Sequence, residues 1–270
     1  MALQKDESKD SGDGGVSEAI GFLLIFTIVI MGIALVTLYG YPMLLQQQVS
    51  ADEKIMEKNM IVLQNDVKSL TYKMVPYKET SLKIGGGSLT VYNTEYSPPS
   101  STIKIYDLSI TYVDSYHSGD LRYESVSAQT DISLQNGAVV MRKHSQEGSV
   151  MVAEPRWFYD AQTNTMVINL ISINSTELMA KTGIGTVQMS LGETNYTYKD
   201  NINADVFVEY TPDTGQDYSV AWNNYFTNSM KMTEILPPPS PPARTYQLPI
   251  TTNPPATLVI KKFEVIIKSI

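Results

Sequence analysis

No motif in this 270-residue chain brings residues able to do acid–base or metal chemistry together. The two histidines, His117 and His144, stand in no catalytic motif, and the sequence contains no GxSxG, HExxH or Walker pattern. The absence of cysteine excludes disulfides, thiolate metal sites and a cysteine nucleophile. We therefore expect a protein that is not an enzyme and has no cofactor or metal centre.

Two loops carry part of a ligand-binding pattern. Gly85-Gly86-Gly87 lacks the lysine and helix of a phosphate loop, so we interpret it as the turn of a β-hairpin formed by residues 82–92. The segment from Asp213 to Asp217 offers oxygen ligands for calcium, but fewer carboxylates than an EF-hand loop. A turn is the favoured interpretation of this segment, and a calcium loop is the alternative.

Charge and composition narrow the classes of partner. A net charge of -8 and a pI near 4.8 argue against nucleic acid, because that affinity comes mainly from lysine and arginine contacts to phosphates. Two sequons, at Asn174 and Asn195, would accept glycans if the domain lies outside the cell, although sequons also arise by chance. Trp157-Phe158-Tyr159 forms either core or an exposed adhesive patch, and core is the favoured interpretation.

One segment is long and apolar enough to cross a membrane. The 20 residues from Ala19 to Leu38 carry no charge and, as a helix, span about 30 Å, the thickness of the hydrocarbon core. We predict a membrane helix over 16–45 that contacts lipid; a buried helix and a cleaved signal peptide are the alternatives. Pro42 lacks an N–H group and is expected to kink or break this helix.

The next segment, 46–75, has the pattern of an amphipathic helix. Its apolar residues recur at spacings of three and four, at Met56, Met60, Leu63, Val67, Leu70 and Met74. Packing of this stripe on the chain's own domain is favoured over a filament seam between subunits, although both can hold along different lengths of one helix. The helical pattern stops around Val75-Pro76.

From residue 76 to 270 the sequence predicts a β-rich domain. Short alternating segments separated by turn residues indicate an antiparallel, sandwich-like fold, so the chain as a whole belongs to the α+β class. Asn136-Gly137 is predicted to close a hairpin between 132–134 and 139–141. Further strands are predicted at 103–113, 166–173, 185–191, 204–210 and 257–267. The proline-rich run 236–242 is predicted to be a loop.

The N-terminus has the features of a leader. Residues 1–15 are polar and end in glycine, and Ser17 and Glu18 follow as a predicted helix cap and a carboxylate at the positive helix end. The run GGVSEAIGFLLIF resembles the N-terminus of archaeal type IV pilin-like proteins, and the resemblance extends to about Asn93. It implies cleavage between Gly15 and Val16 by a prepilin-type peptidase, and self-assembly through the N-terminal helices.

Two functions of different classes follow. The first is a minor or specialised subunit of a type IV pilus-like surface filament. The second is a monomeric, single-pass cell-surface protein whose β-domain binds a ligand or an envelope partner. Lysines balance on the two sides of the helix, so the polar β-domain composition, rather than the charge, favours an extracellular C-terminal domain.

Overall fold

A computed structural model describes residues 13–93, 101–213, 215–236 and 242–270. The chain divides into two compact units, residues 1–50 and 51–270. Helix α1 spans Asp13–Leu35, a π-helical segment spans Val36–Gly40, and helix α2 spans Tyr41–Lys73. The predicted helix end near Val75-Pro76 is therefore confirmed to within two residues. The predicted 1–15 leader overlaps the start of α1, whose backbone is helical from Asp13.

The predicted helix break at Pro42 is not observed. Immediately before it, the N–H of Tyr41 bonds to the carbonyl of Val36 in the π-helical segment. A π segment shifts the hydrogen-bond ladder by one residue. Pro42 then falls in the first turn of α2, where a missing N–H has little cost.

Fourteen strands in the described residues form two sheets. The large sheet has the order β7-β6-β5-β4-β1-β10-β14-β9-β8, and the small sheet has the order β12-β13-β11-β2-β3. The first seven are β1 (Tyr77–Tyr92), β2 (Thr102–Tyr106), β3 (Thr111–His117), β4 (Asp120–Ser125), β5 (Thr130–Gln135), β6 (Ala138–Lys143) and β7 (Ser149–Ala153). The others are β8 (Phe158–Asp160), β9 (Thr165–Ser175), β10 (Met179–Ile202), β11 (Phe207–Thr211), β12 (Thr233–Glu234), β13 (Arg244–Gln247) and β14 (Ala256–Ser269).

The pairing is antiparallel throughout, except between β9 and β14, which run parallel. A short helix α3 (Ser219–Asn224) and a second π-helical segment (Tyr225–Ser229) lie between β11 and β12. A long apolar N-terminal helix followed by a large β-rich domain confirms the α+β class.

The amphipathic stripe of α2 packs on one face of the large sheet. Met56, Met60, Leu63 and Val67 are fully buried, in one core with residues of β1, β4, β5, β10 and β14. The interpretation that this stripe packs on the chain's own domain is thus confirmed. Met74 is the exception, because α2 ends before it and leaves it exposed.

The opposite face of the large sheet forms a second core with the small sheet and α3. Aromatic rings fill its centre: Phe226 lies 4.8 Å from Tyr246, 5.5 Å from Trp222 and 5.6 Å from Trp157, between ring centroids. Three layers result, in the order α2, large sheet and small sheet. Most of β9 is buried on both faces between the two cores, which explains its high apolar content.

The hairpin predicted around Gly85-Gly86-Gly87 is wrong. Residues Tyr77–Tyr92 form one continuous strand, β1, with a bulge between Ile84 and Leu89. Close approach explains the glycines, because a Cβ at Gly87 would lie 2.3 Å from the carbonyl oxygen of Glu124. At the bulge, β1 also gains β4 as its second neighbour.

The other predicted β-segments agree more closely. Asn136 and Gly137, with φ angles of 46° and 72°, close the predicted hairpin between β5 and β6. The 103–113 segment is two strands, because the Asp107 carboxylate accepts the N–H groups of Ser109 and Ile110 and turns the chain. The predicted strands at 166–173, 185–191 and 257–267 lie in β9, β10 and β14, and the 204–210 prediction overlaps β11. Of the proline-rich loop 236–242, residues 237–241 lie outside the described part of the chain.

Candidate functional site: the exposed apolar helix and the domain surface

The first candidate site is the apolar helix itself. From Ile20 to Leu45 its large apolar side chains are exposed on every side, with Phe22 at 72%. The most apolar 18-residue window has a mean hydropathy of 2.9 and no buried residue, and no other helix in the described residues is long and apolar enough to cross a membrane. Covering one such leucine or phenylalanine is worth about 1.5–3 kcal/mol. This helix has the properties of a membrane anchor or a signal sequence.

The residues predicted to be processed lie at the start of this helix. Gly15 and Val16 belong to α1, and Ser17 and Glu18 are exposed on it. Because α1 begins at Asp13, Ser17 is inside the helix of the uncleaved chain, and its prediction as the N-cap is wrong there. Cleavage after Gly15 would instead place Ser17 second in the chain.

An exposed side of α2, next to its buried stripe, is partly apolar. Ile55 and Val62, seven residues apart, are 41% and 47% exposed. A seven-residue spacing keeps two side chains on one side of a helix, so a second helix can contact both. The buried stripe, for which a seam between subunits was the alternative interpretation, is covered by the domain, whereas Ile55 and Val62 remain exposed.

A buried ionic cluster occupies the core between the two sheets. The Arg122 Nε donates to Asp120 Oδ2 at 2.8 Å, and the same oxygen accepts the Ser133 hydroxyl at 2.7 Å. The guanidinium also lies 4.4 Å from the centre of the Tyr92 ring. Burial raises the pKa of Asp120, and the positive charge of Arg122 opposes that rise. No sequence pattern singled out this cluster; the only signal was the alternation of charged with apolar residues in 120–124.

The Asp213 to Asp217 segment, interpreted from the sequence as a turn, contributes to this cluster. Asp213 Oδ2 lies 3.6 Å from the Arg122 guanidinium, and its Oδ1 accepts the N–H of Gly215. Asp217 accepts the N–H of Ser219 at the start of α3. Both carboxylates thus have partners within the protein, which fits the turn interpretation. The described residues contain no group of three or more His, Asp or Glu side chains that could hold a metal ion.

The two histidines have different surroundings. His144 Nε2 lies 2.6 Å from the buried Asp131 Oδ2, whereas His117 is at the end of β3, opposite Thr102. Neither has the base-and-nucleophile geometry of an acyl-transfer site among the described side chains.

The two sequons differ in accessibility. Asn174 is half-buried in β9, and its Nδ2, the atom that would carry a glycan, donates to Glu264 at 2.7 Å. Asn195 is exposed on β10. The structure therefore leaves Asn195 open to modification and holds Asn174 in a side-chain hydrogen bond.

The aromatic triplet is divided between the core and the surface. Trp157 is buried, and its indole N–H donates to the carbonyl of Asn169 at 2.7 Å. Phe158 is 49% exposed and Tyr159 half-buried. The core interpretation is confirmed for Trp157 and wrong for Phe158, because neighbouring residues of an extended segment point to opposite sides.

A family match covers residues 15–252, most of the chain. The chain belongs to DUF7289, a family of unknown function. No curated protein and no solved structure matches it. The family match begins at Gly15, where the predicted leader ends, and takes in both the apolar helix and nearly all of the β-rich domain.

Proposed function

We propose that this DUF7289 protein is a type IV pilin-like surface protein, a minor or specialised filament subunit that assembles through its N-terminal helix. The exposed apolar helix carries the proposal. Its side chains are uncovered on all sides, and it continues into α2, whose later residues are packed on the β-rich domain. A subunit of this design exchanges lipid contacts for contacts with neighbouring helices when it leaves the membrane.

Processing at the N-terminus is the first step of the proposed assembly. A prepilin-type peptidase would cleave between Gly15 and Val16, as the pilin-like GGVSEAIG run implies. Between Val16 and Leu45, Glu18 is the one charged residue. A carboxylate in apolar surroundings needs a partner, and the new amino group of a neighbouring subunit's Val16 supplies one.

A second contact between subunits is proposed on the exposed side of α2 that carries Ile55 and Val62. Ile55 and Val62 are exposed at heptad spacing, as a helix–helix contact requires. The helix of an adjacent subunit would cover both side chains. The β-rich domain would then lie outside the cell, on the surface of the filament.

The alternative proposal is a permanently anchored, monomeric surface protein with a ligand-binding domain. The observation that favours it is the burial of the apolar stripe of α2 in the chain's own core, which leaves less helix surface for assembly. Under this alternative the apolar helix stays in lipid.

Mass spectrometry of the N-terminus, combined with shearing of cells, tests the proposal. We expect mature chains to begin at Val16 and to be recovered in sheared filaments. A Gly15→Val variant should keep its leader and remain in the membrane, whereas Gly14→Ala should behave as the natural protein. An intact leader on filament-associated chains would contradict the processing step, and complete retention of mature chains in the membrane favours the anchored monomer.

A further inference from the structure

A cavity of about 420 Å³ opens beside the C-terminal end of α2. This volume lies within the range of roughly 300–1,000 Å³ that is usual for ligand sites. Four adjacent strands of the large sheet line it through Phe158 of β8, Val167 of β9, Lys261 of β14 and Tyr196 of β10. On this side α2 covers the sheet only as far as Lys73, so the sheet face beyond the helix is open.

The backbone holds one wall of this cavity in a defined position. The Asn169 side chain donates to the carbonyl of Arg156, and the Trp157 indole donates to the carbonyl of Asn169 at 2.7 Å. Phe158 then pairs with Val167 in the sheet. Since Trp157 points into the core, Arg156 and Phe158 on either side of it point out to the cavity. Such fixed groups lose little conformational freedom when a ligand binds.

The cavity carries uncompensated positive charge in an acidic protein. Arg156 and Lys261 line it, and neither takes part in any of the ion pairs found among the described residues. The guanidinium of Arg156 lies 5.0 Å from the centre of the Tyr72 ring. Burial, and then the charge of Arg156, lower the pKa of nearby Lys68. The cavity lining thus contains Arg156 and Lys261 but no carboxylate, in a chain whose net charge is -8. Unpaired cations of this kind indicate an anionic ligand.

Exposed aromatic rings and polar groups stand next to these cations. Phe158 and Tyr196 are 49% and 78% exposed, and Thr194 and Asn195 add hydrogen-bonding groups. Sugar rings combine an apolar face, which packs on aromatic rings, with hydroxyl groups that accept and donate hydrogen bonds. A carboxylate on such a ring matches the two-pronged geometry of a guanidinium.

We propose that this cavity binds an acidic saccharide, a sugar chain whose rings carry carboxylates. Arg156 and Lys261 bind the carboxylates, and Phe158 and Tyr196 pack on the ring faces. Access to such a ligand in the cell rests on the surface location proposed above, whereas binding by the purified chain does not.

Calorimetric titration of the full-length chain with trigalacturonate tests the site. A polyoxyethylene detergent is used, because a maltoside headgroup is itself a sugar. We expect trigalacturonate to bind and the neutral maltotriose to bind at least about tenfold more weakly. Combining Arg156→Gln with Lys261→Gln should weaken trigalacturonate binding by about tenfold or more. Tyr196→Ala should weaken it several-fold, and Tyr196→Phe should preserve it.

Lys262→Gln is the matched control, since it removes the same charge from the next residue of β14, which faces the other side of the sheet. This variant should bind trigalacturonate as the natural chain does. Every variant should also have the unfolding midpoint of the natural chain, as measured by tryptophan fluorescence. The proposal is overturned if trigalacturonate does not bind, or if the double variant and Lys262→Gln behave alike. Binding of glycerol 3-phosphate in place of trigalacturonate would assign the cavity to phosphate groups and also overturn it. None of these outcomes bears on processing at Gly15 or on recovery in filaments.

Discussion

At the scale of single residues, Arg122 forms three ion pairs that no sequence motif predicted. Its guanidinium is nearly buried and holds Asp120 at 2.8 Å, with Glu124 and Asp213 at 3.7 and 3.6 Å. An ion pair in such a place adds little net stability compared with an apolar pair of the same volume. Removing one partner lowers stability strongly, because the other charge then stays buried without a counter-charge.

We expect Arg122→Met to lower the free energy of unfolding by about 3–5 kcal/mol, because Asp120 then lacks its cation. Denaturant unfolding followed by tryptophan fluorescence measures this change. Lys104→Met is the control, since Lys104 pairs with the exposed Asp114 at 3.8 Å and should contribute less than about 1 kcal/mol. Adding Asp120→Asn to Arg122→Met should recover part of the loss. Equal effects of the Arg122 and Lys104 variants would refute the assigned role.

The buried tyrosines predict alkaline unfolding. Burial raises the pKa of Tyr72 to about 12 and raises that of Tyr210 and Tyr218 further above the ordinary value of 10.0. The folded state therefore keeps these protons while the unfolded state loses them, and stability falls as the pH rises from 10 towards 12. Tyrosinate absorbance and tryptophan fluorescence should show these three rings ionising together with unfolding. Ionisation of Tyr72, Tyr210 and Tyr218 near pH 10 in a folded domain would contradict this.

At the scale of elements, α2 has one side that is buried in the domain and another that is exposed. One side is fully buried against the large sheet, and Gln64 fastens it there by donating to the carbonyls of Gly137 and Glu154 at 2.8 and 3.0 Å. The other side keeps Ile55 and Val62 exposed. The residues that stabilise the domain and those of the proposed assembly contact thus lie on different sides of one helix.

Leu63→Ala and the adjacent Val62→Ala compare these two sides directly. Leu63 is fully buried, so its truncation should cost about 2–5 kcal/mol through lost burial and a residual cavity. Val62 is 47% exposed, and its truncation should change stability by less than about 0.5 kcal/mol. Denaturant unfolding measures both. Similar losses at the two positions would mean that α2 is covered on both sides within one chain.

At the scale of the whole molecule, the proposed filament needs contacts that do not stabilise the subunit. We expect Ile55→Ser combined with Val62→Ser to reduce recovery of the protein in sheared filaments several-fold and to leave the unfolding midpoint unchanged. The physical reason is that a polar side chain weakens helix–helix burial, whereas the same positions contribute little to the domain core. Lys54→Gln, on an exposed residue about a quarter of a turn from Ile55, is the control and should assemble normally. If the double variant forms normal filaments, this side of α2 does not take part in the proposed assembly contact.

Periodicity and length were enough to predict several features of this protein. An uncharged 20-residue run has only one regular structure that satisfies its backbone in lipid, and the three-and-four spacing of Met56, Met60 and Leu63 marks a helix side that must be covered. Asn136-Gly137 specified its own turn, because both residues tolerate positive φ. These are local properties, and the chain carries them wherever it folds.

Contacts between distant residues decided the rest. The glycines at 85–87 were compatible either with a turn or with the close approach of another part of the chain. The second is observed, because Asp52 and Glu124, which are distant in sequence, pack against them. The cluster around Arg122 and the cavity beside Arg156, Lys261 and Tyr196 exist only because pairing order brings their strands together. The sequence by itself thus determined the exposed apolar helix and the side of α2 that is buried. Only the tertiary structure decided which charges are paired and which have no ion-pair partner among the described residues, because that depends on strand neighbours that no local pattern encodes.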